Sequence, residues 1–168
     1  MREKIIRYKT VSIPKKPDCV EFALKMLFIW NGKYLVNLDG AQTAHNKHMQ
    51  YNPEQGSCVK QTLLFSEDYM KEKNFNLTIP VQFSDDTKNS FSGYYFMYFN
   101  FSDLSNHVEA VQIEYASKGN GSECTVVQNT RGEPNMTITK FIDSAEKDFR
   151  KRGDACKKVL LFKFQLNK

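Results

Sequence analysis

One stretch constrains the fold more than any other: SGYYFMYFNFS, residues 92–102. Six of its residues are aromatic, and Met97 adds another large apolar group. In an extended backbone successive side chains point to opposite faces. Tyr94, Phe96 and Tyr98 then face one way, while Tyr95, Met97, Phe99 and Phe101 face the other. A strand that is apolar on both faces has to be covered on both. Its rings either fill a core or line a cavity. A third use, stacking on bases, calls for interleaved Lys or Arg, and this stretch contains neither.

The flanking sequence repeats every two residues. KYLVNLD (33–39) sets Tyr34, Val36 and Leu38 on one side, and VKQTLLF (59–65) does the same with Val59, Gln61, Leu63 and Phe65. NLTIPVQF (76–83) aligns Leu77, Ile79, Val81 and Phe83, with Pro80 marking an edge or a bulge. HVEAVQIEYA (107–116) aligns Glu109, Val111, Ile113 and Tyr115. CTVVQN (124–129) and NMTITKF (135–141) read as short strands divided by the turn signal RGEP, and KKVLLFKFQL (157–166) as a final strand.

Two segments have helical period instead. In PDCVEFALKMLFIWNG, Asp18 is the expected N-cap with Glu21 three residues on. Val20, Ala23, Leu24 and Leu27 share a face, and Asn31-Gly32 ends the helix. KFIDSAEKDFRKRGD buries Ile142, Ala145 and Phe149 and collects Arg150, Lys151 and Arg152 at its C-terminus. Residues 1–16 are basic and aperiodic, an extended arm.

The sum is a single domain over 1–168, mainly β: an N-terminal helix, seven or eight antiparallel strands, a late helix and a last strand. A closed up-and-down eight-stranded barrel disposes of the sheet edges best, with a β-sandwich as the rival.

A net charge of +5 is mild for a nucleic-acid binder, and no apolar run reaches the roughly 20 residues of a membrane helix. MREKIIRYKT has no apolar signal-peptide core, so the chain is expected to be either cytosolic or a mature form with an added Met. Two features favour an extracellular mature form. Cys19, Cys58, Cys124 and Cys156 are widely spread, which suits two disulfides better than a zinc site. Three pairings are open. Asn76, Asn100, Asn120 and Asn135 all head Asn-x-Ser/Thr sequons, so glycosylation is expected there.

The element order resembles that of the lipocalins, and the Cys layout resembles their secreted salivary members from blood-feeding arthropods, ticks in particular. The likeness rests on DCVEFALKML, NGKYLVNLD, GSCVKQTLLF, EYASKGNGSECTVV and GDACKK, spanning most of 18–158. Lipocalins usually carry Gly-x-Trp at the first strand. Here Trp30 precedes Gly32 and would close the barrel base from the other side. The resemblance implies a Cys58–Cys156 bridge, which leaves Cys19–Cys124. Each would close about 100 residues, on the order of 4 kcal/mol of chain entropy.

An eight-stranded barrel holds one small ligand. The expected lumen wall comprises Trp30, Tyr34, Val36, Leu63, Phe83, Tyr94, Phe96, Tyr98, Val111, Ile113 and Tyr115, with the strand phase open at the aromatic strand. Tyr94 and Tyr98 offer hydroxyl handles. Glu109 and Asp39 are the carboxylates that would meet a cationic amine. Should neither face inward, the lumen suits a fatty acid or eicosanoid. His45 and His48 have helical metal spacing but no third ligand, and are expected in an exposed loop, with no metal. No cofactor motif and no local nucleophile–His–acid signature is present, although such sets assemble in space.

The expected function is that of a secreted, monomeric binding protein that sequesters a small host mediator, an amine or a lipid, and is not an enzyme. The resemblance supplies these ligand classes and adds a host protein as an alternative partner. The competing readings are a secreted immune-evasion sandwich that binds a host protein by its surface, and a single-strand nucleic-acid binder.

Overall fold

The structure, a computed structural model, describes residues 18–48, 51–52, 57–58, 63–78, 81–82, 92–101, 106–118, 121–153 and 156–167. The basic arm, Phe83 and Asn120 lie outside them.

Helix α1 (Cys19–Trp30) forms where its cap and face dictate. Asp18 Oδ1 accepts the Glu21 N–H at 3.2 Å, and Val20, Ala23, Leu24, Leu27 and Phe28 are buried. The helix stops at Asn31, and Gly32 follows at φ 87°. Residues 33–39, expected as a strand, are not one. Asn37 Oδ1 instead accepts the Asp39 N–H at 3.0 Å, a local bond that competes with a ladder. Val36 and Leu38 still turn toward the core, whereas Tyr34 and Leu35 are exposed.

Helix α2 (Ala41–His48) and strands β1 (Tyr51–Asn52) and β2 (Ser57–Cys58) follow, β1 pairing β2. Leu64 and Phe65 are buried but do not form the expected strand. They lead into α3 (Glu67–Lys73), capped by Ser66 Oγ on the Tyr69 N–H and ended by Asn74 at φ 62°. Then come β3 (Phe75–Leu77), β4 (Val81–Gln82), β5 (Gly93–Phe101), β6 (Asn106–Lys118), β7 (Gly121–Asn129) and β8 (Met136–Thr137). Helix α4 (Ile138–Lys151) begins inside the expected 135–141 strand because Thr137 Oγ1 caps the Lys140 N–H. Strand β9 (Cys156–Leu166) is the last element.

The main sheet is antiparallel, in the order β3–β9–β5–β6–β7–β8, with β4 also on β9. This corrects the barrel. Among the described residues the pairings end at β3 on one side and β8 on the other, so the sheet is open. The molecule is mixed α/β, and helices rather than closure cover the sheet. The expected N-terminal helix, late helix and final strand are all present.

Both aromatic rows of β5 are core. Phe96 and Tyr98 join Val108, Ala110, Phe162 and Phe164 beneath Ala23, Leu24, Leu27 and Phe28 of α1. Tyr95, Met97, Phe99 and Phe101 join Val111, Ile113, Val126 and Leu161 beneath Ile138, Phe141, Ala145 and Phe149 of α4. The Phe149 ring meets Phe99 at 5.1 Å and Phe101 at 4.9 Å between centroids. Burying each such side chain contributes about 1.5–3 kcal/mol, so one strand anchors two clusters.

Candidate functional site

Strand β6 outruns β7. Their ladder ends at Val111 opposite Asn129, after which Thr130 makes the last contacts. Its N–H donates to Ala110 O at 3.1 Å, and its Oγ1 accepts the Ala110 N–H at 3.0 Å. Asn129 then folds the chain away, its Oδ1 accepting the N–H groups of Arg131 and Glu133 at 3.0 Å each. His107, Val108 and Glu109 are left beyond the end of β7. Cys19 and Phe22, from the start of α1, complete a cleft of about 400 Å³ with them and Thr130.

His107 and Glu109 are two apart on a strand and so share a face. His107 Nε2 lies 2.5 Å from Glu109 Oε2, and Thr130 Oγ1 donates to Glu109 Oε1 at 2.6 Å. Both carboxylate oxygens are therefore engaged. Glu109 is 6% exposed, whereas the His107 side chain keeps 25% of its surface. The ring also meets Phe149 of α4 at 5.2 Å and Phe99 of β5 at 6.3 Å. Burial pulls the His107 pKa down, but hydrogen bonding to Cys19 and Glu109 and their charges outweigh it and raise it to about 9. His107 is thus an imidazolium at neutral pH, with a carboxylate on one side and a thiol on the other. The Cys19 Sγ–H reaches Gln42 Oε1 of α2 at 4.0 Å.

The expected ligand wall does not assemble. Met97 pairs with Glu109, Tyr95 with Val111 and Gly93 with Ile113. This register puts Glu109, Val111, Ile113 and Tyr115 on the α4 face, while Phe96 and Tyr98 lie on the α1 face. Two rows expected to share a lumen are back to back, and helices fill the space on both sides. Tyr94 packs against Trp30 at 6.3 Å, and Val36 and Leu63 fringe the α1-side cluster. Tyr34 and Asp39 are exposed. Of the expected set, Glu109 alone lines the cleft.

Other expectations change too. Cys19 and Cys124 form no bridge, since Cys19 borders the α1-side cluster and Cys124 is buried in the α4-side one. The side chains of Cys58 and Cys156 lie outside the description. Asn100 is 3% exposed within β5 and has no room for a glycan, whereas Asn76 and Asn135 are exposed. His45 is not in an exposed loop. It is buried in α2, with Nδ1 2.8 Å from Leu64 O and its ring on Phe65 and Tyr98. Among the described residues, no three His, Cys, Asp or Glu side chains are placed to hold a metal ion.

Sequence reasoning missed His107 and Thr130 as partners of Glu109, and Cys19 as a further lining residue of its cleft. The His-x-Glu spacing within a strand was a usable signal for His107. Nothing local points to Cys19 or Thr130. No protein-family model matches the chain, and no curated protein or solved structure matches it.

Proposed function

We propose that the protein binds a small amphiphilic carboxylate, of fatty-acid or eicosanoid type, in the cleft between α1 and β6. Phe22 and Val108 provide the apolar wall, and the His107 imidazolium receives the carboxylate. The observation that carries this reading is the state of Glu109. Both of its oxygens are taken, by His107 and Thr130, so no carboxylate oxygen is left to receive a cationic amine. A cationic amine would face the imidazolium and find the carboxylate occupied. The volume of about 400 Å³ suits one small ligand. This reading keeps the lipid class that the lipocalin resemblance implied, moves it from a lumen to a cleft, and sets the amine class aside. An extracellular setting remains part of the proposal, supported by the exposed sequons at Asn76 and Asn135.

Titration calorimetry with arachidonate, a leukotriene, histamine and serotonin tests it. A carboxylate should bind one to one, and His107→Gln should weaken it by roughly ten- to a hundredfold, the worth of one charge-assisted hydrogen bond. Amine binding without carboxylate binding would overturn the proposal.

A further inference from the structure

We infer that residues 33–37 and the groove beside them dock an extended peptide segment of another protein, one that sets an acidic side chain between apolar ones. The peptide lies alongside Tyr34, Leu35 and Val36 as an added strand. This surface is separate from the His107 cleft and does not depend on the ligand proposed there.

The backbone offers the first evidence. The chain leaves α1 with the Lys33 N–H donating to Phe28 O at 2.9 Å. From there to Asp39 it belongs to no helix or strand. Its side chains nevertheless alternate as in extended backbone: Leu35, Asn37 and Asp39 are exposed, while Val36 and Leu38 turn to the core. Among the described residues, the backbone N–H and C=O groups of Tyr34, Leu35 and Val36 have no hydrogen-bond partner. An extended segment with such groups bare is a template to which another strand adds. The side chains set it apart from an ordinary solvated loop. Among the described residues the exposed large apolar side chains are Phe22, which borders the His107 cleft, and the neighbours Tyr34 and Leu35, 68% and 100% exposed. A lone exposed apolar residue needs no explanation, but an adjacent pair on bare backbone beside a groove is a surface that a partner covers.

The groove, about 520 Å³, lies between this segment and the ends of α3 and β9. Phe28, Val36 and Leu166 give it apolar lining. The Phe28 ring is held edge-on by Phe75 at 5.6 Å and Phe164 at 5.2 Å, so that floor is already in place. The polar rim suits a peptide. Asn37 Oδ1 accepts the Asp39 N–H and Asn167 Nδ2 donates to Phe75 O, which leaves the Asn37 NH₂ and the Asn167 carbonyl oxygen to a ligand. The carboxamide of Asn74, on the same rim, bonds to nothing among the described residues. A peptide unit has one donor and one acceptor, and the rim presents both. Charge selects an acidic sequence. Lys73 is offset by Glu72 at 3.5 Å, whereas Lys33 has no ion-pair partner among the described residues. Residues 1–16, with six basic side chains and one acidic, have the wrong sign to occupy this rim.

The test is amide NMR on the full, nitrogen-labelled chain, titrated with acetyl-Thr-Val-Glu-Val-Thr-amide and with its counterpart carrying Lys for Glu. The backbone peaks of Tyr34, Leu35 and Val36 and the side-chain NH₂ peaks of Asn37 and Asn74 should move together as the Glu peptide is added. The Glu peptide should bind about three- to tenfold tighter than the Lys peptide, a preference that shrinks at high salt. Lys33→Glu should reverse the preference. Leu35→Pro removes one N–H from the added-strand interface and touches no core side chain, so it should weaken binding by at least about tenfold. The amide spectrum itself reports whether each variant is folded. Peaks that stay in place at millimolar Glu peptide, equal affinity for the two peptides, or undiminished binding by folded Leu35→Pro would each overturn the inference. Peaks of residues 34–36 that move on dilution of the protein alone would assign the strand to a second copy. Nuclear Overhauser contacts from them to residues 1–16 would assign it to the chain itself, and either of these results overturns the inference as well.

Discussion

His107 carries a charge into a pH range where a free imidazole has lost it. With its pKa raised from 6.5 to about 9, it binds a proton in the folded state that the unfolded chain gives up earlier. Its contribution to stability is therefore complete below pH 6.5 and disappears as pH rises through about 9. Urea denaturation should show the protein losing stability between pH 6.5 and 9.5, and His107→Gln should flatten that segment of the profile. At this scale the sequence was partly legible. Period two placed Glu109 in a row with Val111 and Ile113, and that row exists. The thiol beside the ring comes from the far end of the chain's described part, and no spacing rule connects Cys19 to β6.

Elements with their own punctuation were readable. Asp18, the apolar face of α1 and the stop at Asn31-Gly32 all stand as the pattern implied. Strands β5, β6 and β9 came through because their alternation is long. Helix α2 did not, since AQTAHNKH buries only Ala41 and His45 and owes its place to packing. Helix α3 did carry a signal: Ser66 ahead of Glu67 and Asp68, with Lys71 and Lys73 in its last turn. The apolar run before it, read as a strand, masked that signal. The start of α4 is a sharper case, because the Thr137 cap overrides the β-branched residues around it. Thr137→Ala should cost about 1 kcal/mol in chemical denaturation, while Thr139→Ala, one turn-start later on the exposed side, should be nearly neutral.

For the whole molecule, the demand for cover on both faces of β5 was legible, but not what provides it. A barrel wall under a helix and a sheet between helices ask the same of a single strand. The distinction lies in which strands pair, and the decisive pairings join residues far apart in sequence, such as Leu161 to Met97 and Phe164 to Leu77. Because the α1 and α4 clusters share no buried side chain, they should respond independently to mutation. Leu27→Ala should cost about 2–5 kcal/mol and Ile138→Val about 0.5–1.5. In the double variant the two should sum to within about 0.5 kcal/mol, whereas a single shared core would couple them.

Strand β9 follows α4 in the chain yet lies between β3 and β5. On the ribosome this order has a price. The strands that flank β9 leave the exit tunnel early, and each waits with an open edge until β9 arrives. Throughout that interval the aromatic rows of β5 are a natural target for chaperones that hold nascent chains. A message cut short before Cys156 would leave β3 and β4 with nothing to join them to β5, and quality control would clear the fragment rather than leave a weakened protein at work.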